Sequence, residues 1–122
     1  MRGVTLAGLL CTILLFPPVQ VTHGAIRHHG ITRHYLNGPH GWTRTTQYTY
    51  GTITASGHHV YFGEVAADPS IPFGAHMVLP GLGTFTVWDR GGAVYGAHVD
   101  VYVPYYPYPA VPDWVQGAYW TR

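Results

Sequence analysis

The chain has 122 residues, of which 47% are hydrophobic and only 9% are charged. Disordered chains have the opposite composition, so the sequence argues against wholesale disorder and suits one small domain. Six arginines, no lysine and five acidic residues leave a formal charge of +1, which is too small and too dispersed to indicate a nucleic-acid partner.

The first residues predict a secretory signal peptide over residues 1–24. Arg2 supplies its positive end, and an apolar run follows from Val4 to Phe16. This run is shorter than the roughly 20 residues of a membrane span, although a retained membrane anchor is the alternative. Cleavage after Gly24 would release the rest of the chain, so we expect a secreted protein with no stable membrane insertion.

The remaining residues divide into two parts. Residues 25–44 show no period and predict a flexible N-terminal arm, whereas residues 45–122 predict one domain. Within that domain, segments rich in β-branched and aromatic residues are separated by Gly- and Pro-rich turns. These segments are 47–54, 60–66, 76–79, 83–88, 97–103 and 114–121. None of them has a helical period, so the sequence predicts an all-β fold, a small barrel or a sandwich.

Residues 105–112 alternate Tyr and Pro, which predicts an extended and partly exposed segment between the last two predicted strands.

The acidic residues are the most informative side chains, because burial of a carboxylate costs several kcal/mol unless it is paired or hydrogen-bonded. Alternation along residues 97–103 places Val99, Val101 and Val103 on one face and Asp100 on the other. Asp100 therefore faces a polar cleft or the solvent, and the strand pattern leaves both open. The acidic residues are Glu64, Asp68, Asp89, Asp100 and Asp113.

Asp89 ends a predicted strand, and alternation places it on the same face as Phe85 and Val87. Partial burial there favours the neutral acid, unless backbone amides such as those of Gly91 and Gly92 stabilise the charge. A turn aspartate bonded to its own loop is the alternative, and that alternative is favoured for Asp68. Asp113 is expected to be solvated.

Other chemistries have weaker support. The nine histidines include adjacent pairs but no metal-ligand spacing, so no metal site and no cofactor are predicted. Neither Ser56 nor Ser70 lies in a nucleophile motif, and the single cysteine, Cys11, lies inside the predicted signal peptide.

Two motifs carry a more specific signal. Residues 66–74 read A-A-D-P-S-I-P-F-G, and residues 89–100 read D-R-G-G-A-V-Y-G-A-H-V-D. Together with T-Q-Y at residues 46–48, they resemble the three-aspartate (3D) domain over about residues 45–104. The family's three aspartates fall on Asp68, Asp89 and Asp100.

This resemblance implies a small six-stranded double-psi β-barrel. It also implies a lytic transglycosylase, which cleaves the β-1,4 bond between N-acetylmuramic acid and N-acetylglucosamine in peptidoglycan. The product has a 1,6-anhydro end because no water enters. A non-catalytic peptidoglycan-binding barrel is the main alternative, and a structural protein is the next.

The resemblance also assigns roles to individual residues. It makes Asp100 the general acid and base, with Asp89 supporting it and Asp68 shaping the site. Alternation alone favours Asp89 as the neutral acid, so the two arguments disagree, and we follow the resemblance. The implied substrate-binding residues are Thr46, Tyr48, Gly91 and Gly92.

Overall fold

The structure, a computed structural model, describes residues 30–122, so the predicted signal peptide lies outside the described residues. The described part is all-β, as predicted, with a single 3-10 turn at Pro39–Gly41. None of its helical segments is long and apolar enough to cross a membrane. The strands are β1 (His34–Tyr35), β2 (Trp42–Tyr48), β3 (Glu64–Ala66), β4 (His76–Leu79), β5 (Gly83–Asp89), β6 (His98–Tyr102), β7 (Trp114–Gln116) and β8 (Tyr119–Thr121).

All eight strands form one mixed sheet in the order β1-β8-β4-β5-β3-β6-β2-β7. Two parallel pairs, β2 with β6 and β3 with β5, flank the antiparallel pair of β3 and β6. The four central strands β5, β3, β6 and β2 carry or adjoin the sequence motifs. The sheet therefore brings together residues from distant parts of the sequence, such as Thr46 and Asp100 with Ala66 and Asp89.

The strand prediction is confirmed in part. Residues 76–79 form a strand with the predicted bounds, but residues 114–121 form two strands instead of one because Gly117 turns the chain at a φ of 78°. Part of the predicted arm also enters the sheet, since His34–Tyr35 pair with β8 and β2 begins at Trp42. The described sheet therefore has eight strands, whereas six were predicted.

The core lies on one side of the central strands. Val99, Val101 and Val103 are fully buried, together with Val65 and Val87 on the neighbouring strands. The alternation predicted for β6 is confirmed, because its intervening residues, including Asp100, are only half-buried. One face of β3, β5 and β6 is thus apolar at these positions, and Asp100 lies on the opposite face.

Candidate active site

A single row of residues crosses the four central strands. Thr46 on β2 is opposite Asp100 on β6, Asp100 is opposite Ala66 on β3, and Ala66 is opposite Asp89 on β5. Residues directly opposite one another across strands project from the same face. The two aspartates therefore flank the small side chain of Ala66 on the face away from the valine core.

A β-bulge sets the position of Asp89. Val65 is opposite Val87, but Ala66 is opposite Asp89, so Trp88 is the extra residue on β5. Such a bulge re-aims the side chains that follow it. The prediction that Asp89 shares the face of Phe85 and Val87 is therefore wrong, because the alternation on which it rests is interrupted at Trp88.

A cavity of about 150 Å³ opens above this row. Asp89, Asp100 and Ala66 are among its walls, and so are Tyr48 and Gly91. A side chain at position 91 would collide with Val94, since an added Cβ would lie 2.6 Å from Cγ2 of Val94. Gly91 thus allows the loop after β5 to pack close beside the carboxylates.

Asp100 is the carboxyl group best suited to donate a proton. Burial raises its pKa above the ordinary value, and the nearby charge of Asp89 acts in the same direction. Two contacts oppose this shift, namely a 2.8 Å hydrogen bond donated by the hydroxyl of Thr46 and the charge of His98. The net effect is a raised pKa, so Asp100 stays protonated to a higher pH than an ordinary aspartate does.

Thr46 connects Asp100 to His98. The Thr46 oxygen lies 2.8 Å from Asp100 Oδ1 and 2.8 Å from His98 Nε2, while His98 Nδ1 lies 3.1 Å from the carbonyl oxygen of Ala93. A carbonyl only accepts, so Nδ1 carries a proton. The single hydroxyl proton of Thr46 can serve only one of its two contacts, so the other contact needs a proton from the partner group.

Asp89 is surrounded by donors. Its Oδ1 accepts 2.8 Å bonds from the amides of Ala55 and Arg90, and its Oδ2 accepts a 2.9 Å bond from the hydroxyl of Tyr48. The predicted stabilisation by backbone amides occurs, although the amides are not those of Gly91 and Gly92. Three hydrogen-bond donors thus hold the Asp89 carboxyl group in place at the wall of the cavity.

Glu64 is a residue of this site that the sequence argument counted but did not place there. It is fully buried, and its Oε1 lies 2.8 Å from the Tyr48 hydroxyl, which also contacts Asp89. Burial raises the pKa of Glu64. Burial also raises the pKa of Tyr48, and the hydrogen bonds of Tyr48 to Glu64 and Asp89 add to this shift. Alternation with Ala66 along β3 is the signal that could have found it.

The number of protons available to Tyr48 and Glu64 indicates that Glu64 is protonated. Tyr48 has one hydroxyl proton for two carboxyl oxygens, and the Oε2 atom of Glu64 has no hydrogen-bond partner among the described residues. A protonated Glu64 that donates to Tyr48 satisfies both contacts and leaves no buried charge. Tyr48 then donates to Asp89.

A Glu64→Gln variant tests this assignment. In the unfolded chain Glu64 loses its proton above its ordinary pKa of 4.5, whereas in the folded protein it keeps the proton to higher pH. The contribution of Glu64 to the unfolding free energy therefore falls as pH rises. Gln does not titrate, so the variant has no such pH dependence at position 64. The stability of the variant relative to wild type should therefore increase with pH, by at most about 1.4 kcal/mol per pH unit. Urea denaturation from mildly acidic to alkaline pH measures it, and a pH-independent difference would contradict a protonated Glu64.

Asp68 lies outside the walls of this cavity. Its Oδ1 accepts a 2.8 Å bond from the amide of Ser70, and its Oδ2 accepts a 2.5 Å bond from the amide of Gly96. Hydrogen bonds from Ser70 and Gly96 lower the pKa of Asp68. Asp68 thus ties its own loop to the turn before β6, which carries Asp100.

The predicted substrate-binding residues are in different environments. Thr46 and Tyr48 bind the two carboxylates, with Tyr48 only 7% exposed, and Gly91 borders the cavity. Gly92 is exposed and is not one of the cavity walls. Within residues 30–122, no three His, Cys, Asp or Glu side chains are grouped in a way that could hold a metal ion.

Comparison with known families adds one finding. Residues 64–108 match the family model of the 3D domain. The matched span contains β3 to β6 and all three motif aspartates. A search of curated proteins gave no match.

Proposed function

We propose that the protein is a secreted peptidoglycan lytic transglycosylase, because residues 64–108 match the family model of the 3D domain and the sequence motifs resemble those of the lytic enzymes that carry this domain. The observation that carries the proposal is the pair of Asp100, with its raised pKa, and Asp89, on either side of Ala66 in one open cavity. Secretion through the predicted signal peptide belongs to the same proposal.

In the proposed first step, neutral Asp100 donates its proton to the glycosidic oxygen between N-acetylmuramic acid and N-acetylglucosamine. The bond breaks through an oxocarbenium-like state, as in other glycoside cleavages. The negative charge of Asp89 lies on the same face and stabilises this developing positive charge.

In the second step, the Asp100 carboxylate removes the proton from the C6 hydroxyl of the same muramyl residue. The C6 oxygen attacks C1 and closes the 1,6-anhydro ring, so Asp100 regains its proton and no water is consumed. Because the attack is intramolecular, positioning supplies much of the rate. One carboxyl group therefore serves both steps, whereas a hydrolase ordinarily uses two.

The proposal includes the double-psi form of the barrel. It is supported by the two parallel pairs, β2 with β6 and β3 with β5, on either side of the antiparallel β3 and β6. The additional strands β1, β4, β7 and β8 extend the sheet beyond these four.

A non-catalytic peptidoglycan-binding module is the second candidate, and the exposed aromatic side chains near the cavity favour it, such as Tyr50 at 77% exposure. Incubation of the mature protein with purified sacculi separates the two. A transglycosylase releases soluble muropeptides with time, and turbidity falls. A binding module co-sediments with sacculi and leaves the turbidity unchanged, which would contradict the enzymatic proposal.

A further inference from the structure

Three cavities lie one after another along β2 and share lining residues. The carboxylate cavity shares Tyr48 and Tyr50 with a second cavity of about 300 Å³. This second cavity shares Gln47 and Tyr106 with a third of about 610 Å³, which extends to Trp114 on β7. The shared residues place the three cavities side by side, from Asp89 and Asp100 at one end to Trp114 at the other. We refer to the three together as the β2 groove.

The far wall of the β2 groove is built by the Tyr/Pro segment and the residues after it. Gln47 fixes this wall, because its amide nitrogen donates to the carbonyls of Tyr108 and Val111, at 3.1 and 3.3 Å, and its oxygen accepts a 2.8 Å bond from the Tyr108 amide. The hydroxyl of Thr45 also donates to the carbonyl of Pro112. Side chains of β2 thus hold the segment in place alongside the groove.

Aromatic rings line the groove and remain open to solvent. Tyr50, Tyr106 and Trp114 are 77%, 71% and 52% exposed, and they fall in the first, second and third parts of the groove. Clustered exposed aromatic side chains mark binding surfaces. Arg44, Thr46 and Asp113 add polar groups to the third part.

A glycan strand matches this surface better than a compact ligand does. Pyranose rings have apolar faces that stack on aromatic rings and hydroxyl rims that bond to polar side chains, and they repeat along the chain. The groove repeats the same combination over its length, with an exposed aromatic ring in each part. Trp114, at the far end, lies on β7, the last strand in the sheet order.

We propose that the β2 groove binds several consecutive sugars of a peptidoglycan strand on one side of the bond that Asp100 cleaves. The protein then cuts within long strands in preference to releasing disaccharides from their ends. This inference rests on the proposed function, because it takes the glycan as the substrate. It assigns the Tyr/Pro segment a role in strand binding.

The test compares two substrates, long glycan strands stripped of stem peptides and a tetrasaccharide of the same sugars. Tyr106→Ala and Trp114→Ala are expected to lower the ratio of kcat/KM on long strands to kcat/KM on the tetrasaccharide by about tenfold each. Tyr35→Ala is the matched control, because Tyr35 is 52% exposed and lies on β1, at the other end of the strand order. It should leave the ratio unchanged.

The outcomes separate the two proposals. If wild type cleaves both substrates and neither groove variant changes the ratio, the β2 groove is not a strand-binding site, and the proposed activity stands. If wild type cleaves neither substrate and releases nothing from sacculi, the proposed activity fails, and endolytic cleavage fails with it. Early products of long strands should be fragments of mixed length, whereas disaccharides alone would overturn cutting within the strand.

Discussion

Replacement of Asp100 by Asn should lower the turnover of peptidoglycan by about 10³-fold, the usual contribution of a general acid. The amide oxygen of Asn can still accept the Thr46 hydrogen bond, so the fold should persist, but the Asn amide is too weak an acid to protonate the leaving oxygen. Release of soluble muropeptides from sacculi measures the loss. Full activity in a folded Asp100→Asn protein would contradict the mechanism.

The same variant has a predictable effect on stability. Native Asp100 holds a proton to higher pH than the unfolded chain does, so the Asp100 contribution to the unfolding free energy falls as pH rises above its ordinary pKa of 3.8. Asn does not titrate, so the variant does not lose stability at this position as pH rises. Thermal unfolding at neutral pH should therefore show a variant at least as stable as wild type. The activity of wild type should decline as pH rises through the raised pKa of Asp100.

Asp68→Asn is the matched comparison, because it makes the same chemical change outside the cavity. Its lowered pKa means that the Asp68 carboxylate stabilises the fold above its unfolded pKa, and that this contribution is lost as pH falls through the folded pKa. Loss of charge at Asp68 should therefore reduce the melting temperature at neutral pH far more than Asp100→Asn does. The reverse pattern would contradict the separate roles of the two aspartates.

Ala66→Leu should reduce turnover by about 100-fold or more. Ala66 lies between Asp89 and Asp100 in the strand row and borders the cavity, so the three added carbon atoms would fill the space that the substrate needs between the carboxylates. Displacement of reacting groups by about 1 Å is enough for a loss of this size. Ala66 is 2% exposed, so overpacking should also cost about 1–3 kcal/mol.

Ala66→Gly separates the steric effect from the destabilisation. Glycine keeps the cavity open but weakens the strand by about 0.5–1 kcal/mol. We therefore expect Ala66→Gly to retain most of the activity although it is less stable than wild type. Equal activity losses in the Gly and Leu variants would show that stability, and not the space between the carboxylates, controls turnover.

Much of the site could be predicted from local sequence patterns. The valines of β6 alternate strictly, so the strand pattern alone assigns Asp100 to the face opposite the core. The 3D motifs single out three aspartates as candidate site residues, and two of them, Asp89 and Asp100, line one cavity. Motifs of this kind are readable in one sequence because each residue sits at a fixed offset from its neighbours.

The rest depends on contacts between distant segments, which leave little trace in any one of them. The bulge at Trp88 is visible only against β3, and it reverses the face assigned to Asp89. Glu64 acquires its role from Tyr48, which lies 16 positions earlier. Likewise, the strand predicted over residues 47–54 is wrong in its bounds, because β2 runs from Trp42 to Tyr48, where Trp42 and Thr43 pair with the distant strand β7.

The central claim is that Asp100 acts as both acid and base without the entry of water, and digestion of sacculi in ¹⁸O-labelled water tests it most directly. We expect muropeptides whose new ends are 1,6-anhydro sugars without ¹⁸O, and we expect Asp100→Asn to release none of them. Reducing ends that each carry one ¹⁸O atom would contradict the account, because they would identify a hydrolase in which a second carboxylate, with Asp89 the nearest candidate, activates water.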